Sequence, residues 1–166
     1  MEIRKISRNQ KVNLTKEGVE RISISTGFRR NINCEIDLYS ISFDSLDKGT
    51  IFAKEKLLHE DKEKKKVTVE FGELSQEIKR LIFIDEIYSV QNDSLSKNKM
   101  EPPYFRVVDE YGTIEWQFDT ANEIGWHHII IGFELYMSDN EWWLRAVGNS
   151  VRHRIFSLMK KEYYIQ

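Results

Sequence analysis

Short runs of alternating apolar and polar residues, broken by charged or small polar clusters, recur along the chain. Lys11-Val12-Asn13-Leu14 is a short edge-like piece, and Arg21-Ile22-Ser23-Ile24-Ser25 alternates with period two. Residues 36–43 are strand-like and partly amphipathic, and Val67, Val69 and Phe71 alternate with Thr68 and Glu70. Period two sends successive side chains to opposite faces, so each run predicts a half-buried strand. Leu81-Ile82-Phe83-Ile84 is apolar throughout, the pattern of a strand buried on both sides. Asp109-Glu110-Tyr111-Gly112 separates residues 105–108 from 113–118, and Ser138-Asp139-Asn140-Glu141 separates residues 126–137 from 142–147. Each cluster predicts a hairpin turn. Many short strands with such turns suggest a β-sandwich or barrel.

Helical spacing is rare. Leu74, Ile78 and Leu81 support one or two turns. Val151, Ile155, Leu158 and Met159 recur at i, i+4, i+7 and i+8, with Ser150 as N-cap, and predict a short C-terminal helix covering an open side of the strands. Residues 54–66 and 90–103 read as loops. No repeat and no linker divides the chain, so residues 1–166 are expected to form a single domain.

Composition strengthens the β reading. The chain of 166 residues holds 9 Phe, 7 Tyr and 4 Trp, many Ile and almost no Ala. A length of 166 residues suffices for a core without a disulfide or structural metal. The 25 bases and 27 acids give a net charge of −2, which by itself argues for neither a nucleic-acid nor a membrane partner. The distribution is uneven, however. Residues 101–141 carry nine acids against Arg106, whereas residues 1–30 carry eight bases and three acids. Such asymmetry suits docking by one end, and opens a further reading, a nucleotide or nucleic-acid binder using the basic N-terminal half. Cys34 is single, so no internal disulfide or thiolate zinc cage forms. No apolar run approaches a membrane span, and residues 1–10 show no signal-peptide pattern; a reducing cytoplasmic setting is expected.

At the C-terminal hairpin the residues become specific. Gly132-Phe133-Glu134-Leu135-Tyr136, a turn, then Trp142-Trp143-Leu144-Arg145-Ala146-Val147-Gly148 resemble the tellurium-resistance TerD family, which has a Gly-Glu-Leu-Tyr strand followed by Trp-Lys-Phe-Arg-Ala-Val-Gly. Residues 11–16 resemble that family's opening strand, and Phe105 to Asp109 its Ile-Arg-Ile-Val strand. The resemblance implies a two-sheet, mostly antiparallel β-sandwich, with Glu134, Tyr136, Trp143, Arg145 and Gly148 as structural signature residues. It also implies a cytoplasmic stress-response protein, linked to tellurite or other toxic oxyanions or to phage defence. Such a protein acts beside protein partners, membrane-associated or of the same resistance system, and is not an enzyme. Trp143 is expected in the core, and the adjacent Trp142 on the exposed face.

Calcium binding is the family property most affected by departures. Calcium needs six to eight oxygens, mostly carboxylate. Asp37 matches the first residue of the family's Asp-Leu-Asp, but the second is Tyr39. Glu60 and Asp61 are the remaining weak candidates, and the family's Gly-rich acidic tract is replaced by Lys62, Lys64, Lys65 and Lys66. Ammonium groups repel a dication and offer no acceptor. No cofactor and no resident calcium are therefore expected, with a weak calcium-dependent protein as the alternative. The Lys-rich stretch, with Trp142, becomes a candidate contact for an acidic partner.

The chain carries no local signature of a catalytic site. There is no Gly-x-Ser-x-Gly, Walker A or Gly-x-Gly-x-x-Gly. His127 and His128 are adjacent and on a strand face opposite ways. His153 lies between two arginines, and Cys34 follows Arg29 and Arg30. An enzyme working through these groups is the third reading. Glu134 and Arg145 stand at similar distances from their turn, which predicts a cross-strand ion pair.

Overall fold

The computed structural model describes residues 1–27, 34–44, 49–51, 58–61, 66–89, 103–120 and 129–151. Within them the strands are β1 (Glu2–Lys5), β2 (Lys11–Asn13), β3 (Arg21–Gly27), β4 (Cys34–Asp44), β5 (Gly49–Ile51), β6 (Leu58–Asp61), β7 (Lys66–Glu70), β8 (Ile78–Ser89), β9 (Tyr104–Asp109), β10 (Ile114–Asp119), β11 (Ile129–Ser138) and β12 (Glu141–Val151). They assemble into two six-stranded sheets, ordered β1-β10-β9-β3-β7-β6 and β2-β12-β11-β8-β4-β5. All pairings are antiparallel except β1 with β10. This is the expected two-sheet sandwich.

Alternation explains the first sheet. In β3, β7 and β9 every second residue is buried, and Ile22, Ile24, Val67, Val69, Phe105 and Val107 form one inward face. They meet Leu81, Phe83, Phe133, Leu135, Leu144 and Ala146 from the second sheet. The second sheet is buried on both faces. Ile41, Phe43, Ile82, Ile84, Ile129, Ile131 and Val147 form a separate buried cluster on its far side, which is why residues 81–84 are apolar without interruption.

Both expected turns are present. In the first, the Asp109 carboxylate accepts hydrogen bonds from the Thr113 and Ile114 amides at 2.6 and 3.0 Å, and Gly112 takes φ +65°. Burial pushes the Asp109 acid up, but these amides and the Thr113 hydroxyl outweigh it and hold the carboxyl below its usual range. The second turn places Asp139 and Asn140 at φ +51° and +60°, the two-residue geometry whose twist matches the flanking strands. It pairs Met137 with Trp142 and Tyr136 with Trp143.

That register corrects the expectation for the two tryptophans. Trp142 shares the inward face with Met137 and Leu144 and is buried, its ring stacked on Phe71 at 5.3 Å. Trp143 lies on the outward face and is half-buried. The alternation was right and its phase was not.

Gly132 sits at a register shift between Ile131 and Phe133. A Cβ there would lie 2.4 Å from the Phe105 ring of the opposite sheet, so glycine lets that ring press on the β11 backbone.

One acid crosses the interior. Asp85 of β8 is fully buried and hydrogen-bonded to Thr26 of β3, joining the sheets. Thr26 Oγ1 also lies 3.2 Å from the Tyr104 carbonyl oxygen. Thr26 donates to the Asp85 carboxyl, its one hydrogen lies between two acceptors, and the second Asp85 oxygen has no hydrogen-bond partner among the described residues. Burial correspondingly pushes the Asp85 carboxyl well above its ordinary range.

Other expectations change. Glu2-Ile3-Arg4-Lys5 forms an unforeseen strand. Phe71–Glu73 is a single 3-10 turn, whereas Ile78 and Leu81 belong to β8 instead of a helix. The stretch 54–66, expected as a loop, contains β6, paired with β7. Ser150 and Val151 end β12, paired with Ile130 and Ile129, and do not cap a helix; the rest of the expected C-terminal helix lies outside the described residues.

Trp142→Ala should cost about 3–5 kcal/mol in urea-induced unfolding, the usual price of emptying a large aromatic site, and Trp143→Ala distinctly less. Asp85 gives a pH prediction. Its folded-state pKa lies above the unfolded one, so between the two the native state binds more protons and stability falls as pH rises. Asp85→Asn keeps the shape and a donor without the ionisation. In melting curves from pH 4 to 9, the variant should lose that decline and melt higher than the parent at the alkaline end.

Candidate functional site

The β11–β12 hairpin places one side-chain ladder on the outward face of the second sheet. Across β2, β12, β11, β8 and β4, one rung runs Asn13, Trp143, Tyr136, Arg80, Phe43, and the next runs Lys11, Arg145, Glu134, Ile82, Ile41. Four of the five signature residues, Glu134, Tyr136, Trp143 and Arg145, therefore share one outward patch.

Glu134 organises the patch. It is buried to 8% exposure, which an unpaired carboxylate would not tolerate. Arg145 directs Nε at its Oε2 from 3.1 Å and a second guanidinium nitrogen at the same oxygen, while Arg80 Nη1 stands 4.0 Å from Oε1. The expected Glu134–Arg145 cross-strand pair is thus present, with Arg80 as a second cation. The Arg80 guanidinium also lies 4.3 Å from the Phe43 ring centre, and Lys11 Nζ lies 5.9 Å from that of Tyr136. Asn13 donates to Glu141 at 3.2 Å. The ladder thus carries three cations, Lys11, Arg80 and Arg145, against the carboxylates of Glu134 and Glu141, with two half-buried aromatics beside them. Such a surface favours an acidic, partly apolar contact.

The remaining candidates are dispersed. Gly148, the fifth signature residue, follows the patch at φ +75° and lies against Phe118 of the other sheet. Trp142 points into the core and is not a surface contact. Asp37 lies on β4 opposite Glu86, on the outward face, while Tyr39 two residues on packs against the outer apolar cluster. Glu60 and Asp61 lie on β6 at the edge of the other sheet, opposite Val67 and Lys66. Asp37 and Asp61 thus belong to different sheets, and the backbone of β6 is extended where a loop was expected. Lys66 begins β7 and is half-buried. Lys62, Lys64, Lys65, His127, His128 and His153 lie outside the described residues, as does the Cys34 side chain. Among the described residues no three His, Cys, Asp or Glu cluster to hold a metal, and no helix is long and apolar enough to cross a membrane.

Sequence reasoning missed Lys11 and Arg80 as members of the patch. Lys11 opens a strand already recognised, and Arg80 directly precedes the apolar run 81–84. What was lacking is sheet order, which alone sets β2 and β8 on either side of the hairpin.

The TerD domain family profile matches residues 43–163, well over half of the chain. Two solved structures share its architecture. SAV2460, a protein of unknown function, superposes with a TM-score of 0.61 at 12% identity, over 85% of this chain and 95% of its own. SCO6318 of Streptomyces coelicolor A3(2), described as a homologue of the telluride resistance protein TerD, superposes with a TM-score of 0.61 at 11% identity and the same coverages of 85% and 95%. No protein of curated function matches the sequence.

Proposed function

The chain belongs to the TerD family, and from that premise we propose that it is a tellurium-resistance-type stress protein that acts by holding a protein partner, without chemistry of its own. The observation that supports this reading is the outward patch. Glu134, Tyr136, Trp143 and Arg145 stand side by side on one sheet face with Lys11 and Arg80. The surplus of positive charge suits an acidic segment, and Trp143 and Tyr136 offer it flat apolar area. Lys66, with Lys62, Lys64 and Lys65 of the same stretch, gives a second contact of the same sign.

Binding is proposed to be independent of calcium. Tyr39 stands where the family's second loop acid would be and packs on apolar neighbours. Asp37 and Asp61 belong to different sheets, and each lysine near residue 61 raises the cost of admitting a dication.

In a tellurite-sensitive host, expression of the parent chain should raise survival, and a photo-crosslinkable residue at position 143 should give one discrete protein adduct. Lys11→Glu should abolish protection and adduct together while leaving the melting temperature nearly unchanged. Tyr111→Ala, on the exposed β9–β10 turn, should leave both intact. Equal protection by Lys11→Glu and the parent would contradict the reading. The calcium statement has its own measurement: native-state ligands raise the melting temperature, so curves in millimolar calcium and in chelator should coincide. A calcium-dependent rise abolished by Asp37→Asn would restore the calcium-dependent alternative.

A further inference from the structure

A second feature lies away from the patch, at the seam where the two sheets meet along one edge. There the chain leaves β1 of the first sheet and crosses to β2 of the second. The crossing is pinned on both sides. The Ile6 amide donates to the Gln117 carbonyl of β10 at 2.9 Å, the Asn9 amide donates to the Ala146 carbonyl of β12 at 2.8 Å, and the Ala146 amide donates back to the Gln10 carbonyl at 3.2 Å. Between these anchors Gln10 closes a tight turn, donating its amide to the Ser7 carbonyl at 2.9 Å and accepting from the Ser7 amide at 2.9 Å through its side chain. Asn9 holds φ +68° in that turn. The result is a fixed ridge beside an open cleft of about 300 Å³, whose wall includes Lys5, Arg8, Gln117, Phe118 and Gly148.

The cleft has the size of a small ligand site and an electrostatic bias. Among the described residues, Arg4, Arg21, Arg80 and Arg145 face carboxylates and Arg106 lies over the Tyr104 ring. Arg8 is different. Its guanidinium donates to the neutral amide oxygen of Asn149, which orients the fork, and it forms no ion pair with a carboxylate among the described residues. Lys5 adds a second cation on the same wall. Asp119 also borders the cleft, but it is engaged in an interaction of its own. Gly148 keeps the wall open: its φ is +75°, and a Cβ there would come within 2.8 Å of the Phe118 ring.

We infer that this seam is a binding site for a small organic anion, whose phosphate or carboxylate head is held between Arg8 and Lys5 and whose body lies along Phe118 and Gly148. A planar guanidinium already oriented by Asn149 matches the paired oxygens of either head group. Because the ridge is hydrogen-bonded at both ends, little ordering accompanies capture. The inference is independent of the partner-binding patch, which lies on the outward face of the second sheet.

The test is an amide NMR titration of the full chain with inorganic phosphate and, separately, with acetate, at ionic strength held constant by sodium chloride. Saturable shifts confined to Lys5, Arg8, Gln117, Gly148 and Asn149 are expected with at least one of the two anions, and the preferred one identifies the head group. Arg8→Gln should weaken that binding at least tenfold and Lys5→Gln by a smaller factor. Arg8→Lys, which keeps the charge without the fork, should fall between the parent and Arg8→Gln. If Arg8→Gln does not fold, weaker binding than the parent in both Lys5→Gln and Arg8→Lys supports the inference, and parental affinity in both overturns it. Shifts spread over lysines across the surface, no saturation with either anion, or equal affinity in parent and variants would each overturn the inference.

Discussion

A turn of two residues governs the arrangement of this protein. Asp139 and Asn140 adopt positive φ, and that geometry admits a single register between β11 and β12. Because side chains alternate with period two, one step of slippage would exchange the faces of the whole hairpin. Trp142, Leu144 and Ala146 would leave the core, and Glu134 would lose its place opposite Arg145. The neighbours follow from this register. β2 pairs with the outer edge of β12 and delivers Lys11 to Arg145, while β8 pairs with β11 and delivers Arg80 to Tyr136. The turn thus builds the core and the outward patch in one step.

Packing holds the rest in place around that hairpin. β8 and β11 are buried on both faces, so their apolar content is demanded twice, once by the first sheet and once by the outer cluster. Gly132 lets Phe105 reach the backbone between them. Asp85 is the exception within this interior, a polar link between sheets held through one carboxyl oxygen, while the other has no hydrogen-bond partner among the described residues. Glu134 shows the opposite solution to burial. Two guanidinium groups, those of Arg145 and Arg80, face it from neighbouring strands and offset its burial.

Much of this fold was legible from the chain alone. The strands β3, β7, β9 and β10, both hairpin turns and the sandwich class follow from alternation and turn chemistry. The family resemblance rested on residues 132–148, and Glu134 with Arg145 could be paired by counting from the turn. What escaped has physical causes. β1 holds one apolar residue among charges, so no periodicity announces it; its parallel pairing with β10 is a tertiary effect. β6 was hidden inside a Lys-rich stretch whose composition reads as solvated loop. Ile78 and Leu81 lie three apart, a helical spacing, yet pack in one inner cluster because the strand register shifts between Arg80 and Ile78. The phase of Trp142 and Trp143 was misjudged because two adjacent tryptophans carry no internal sign of which faces inward. That decision belongs to Met137 and Phe71, which meet Trp142 from elsewhere in the fold. The seam cleft had no sequence signature, since Arg8 and Gly148 are brought together only by the crossing from one sheet to the other.

The face assignment of β12 is the claim on which the account rests, and it can be measured directly. With Cys34 replaced by serine, residues 142 to 146 would be changed to cysteine one at a time, and each variant labelled with a thiol reagent under native conditions. The structure predicts an alternation, with positions 143 and 145 labelled rapidly and positions 142, 144 and 146 protected until the protein unfolds. The reverse alternation, or equal rates at all five positions, would contradict the register and with it the outward patch.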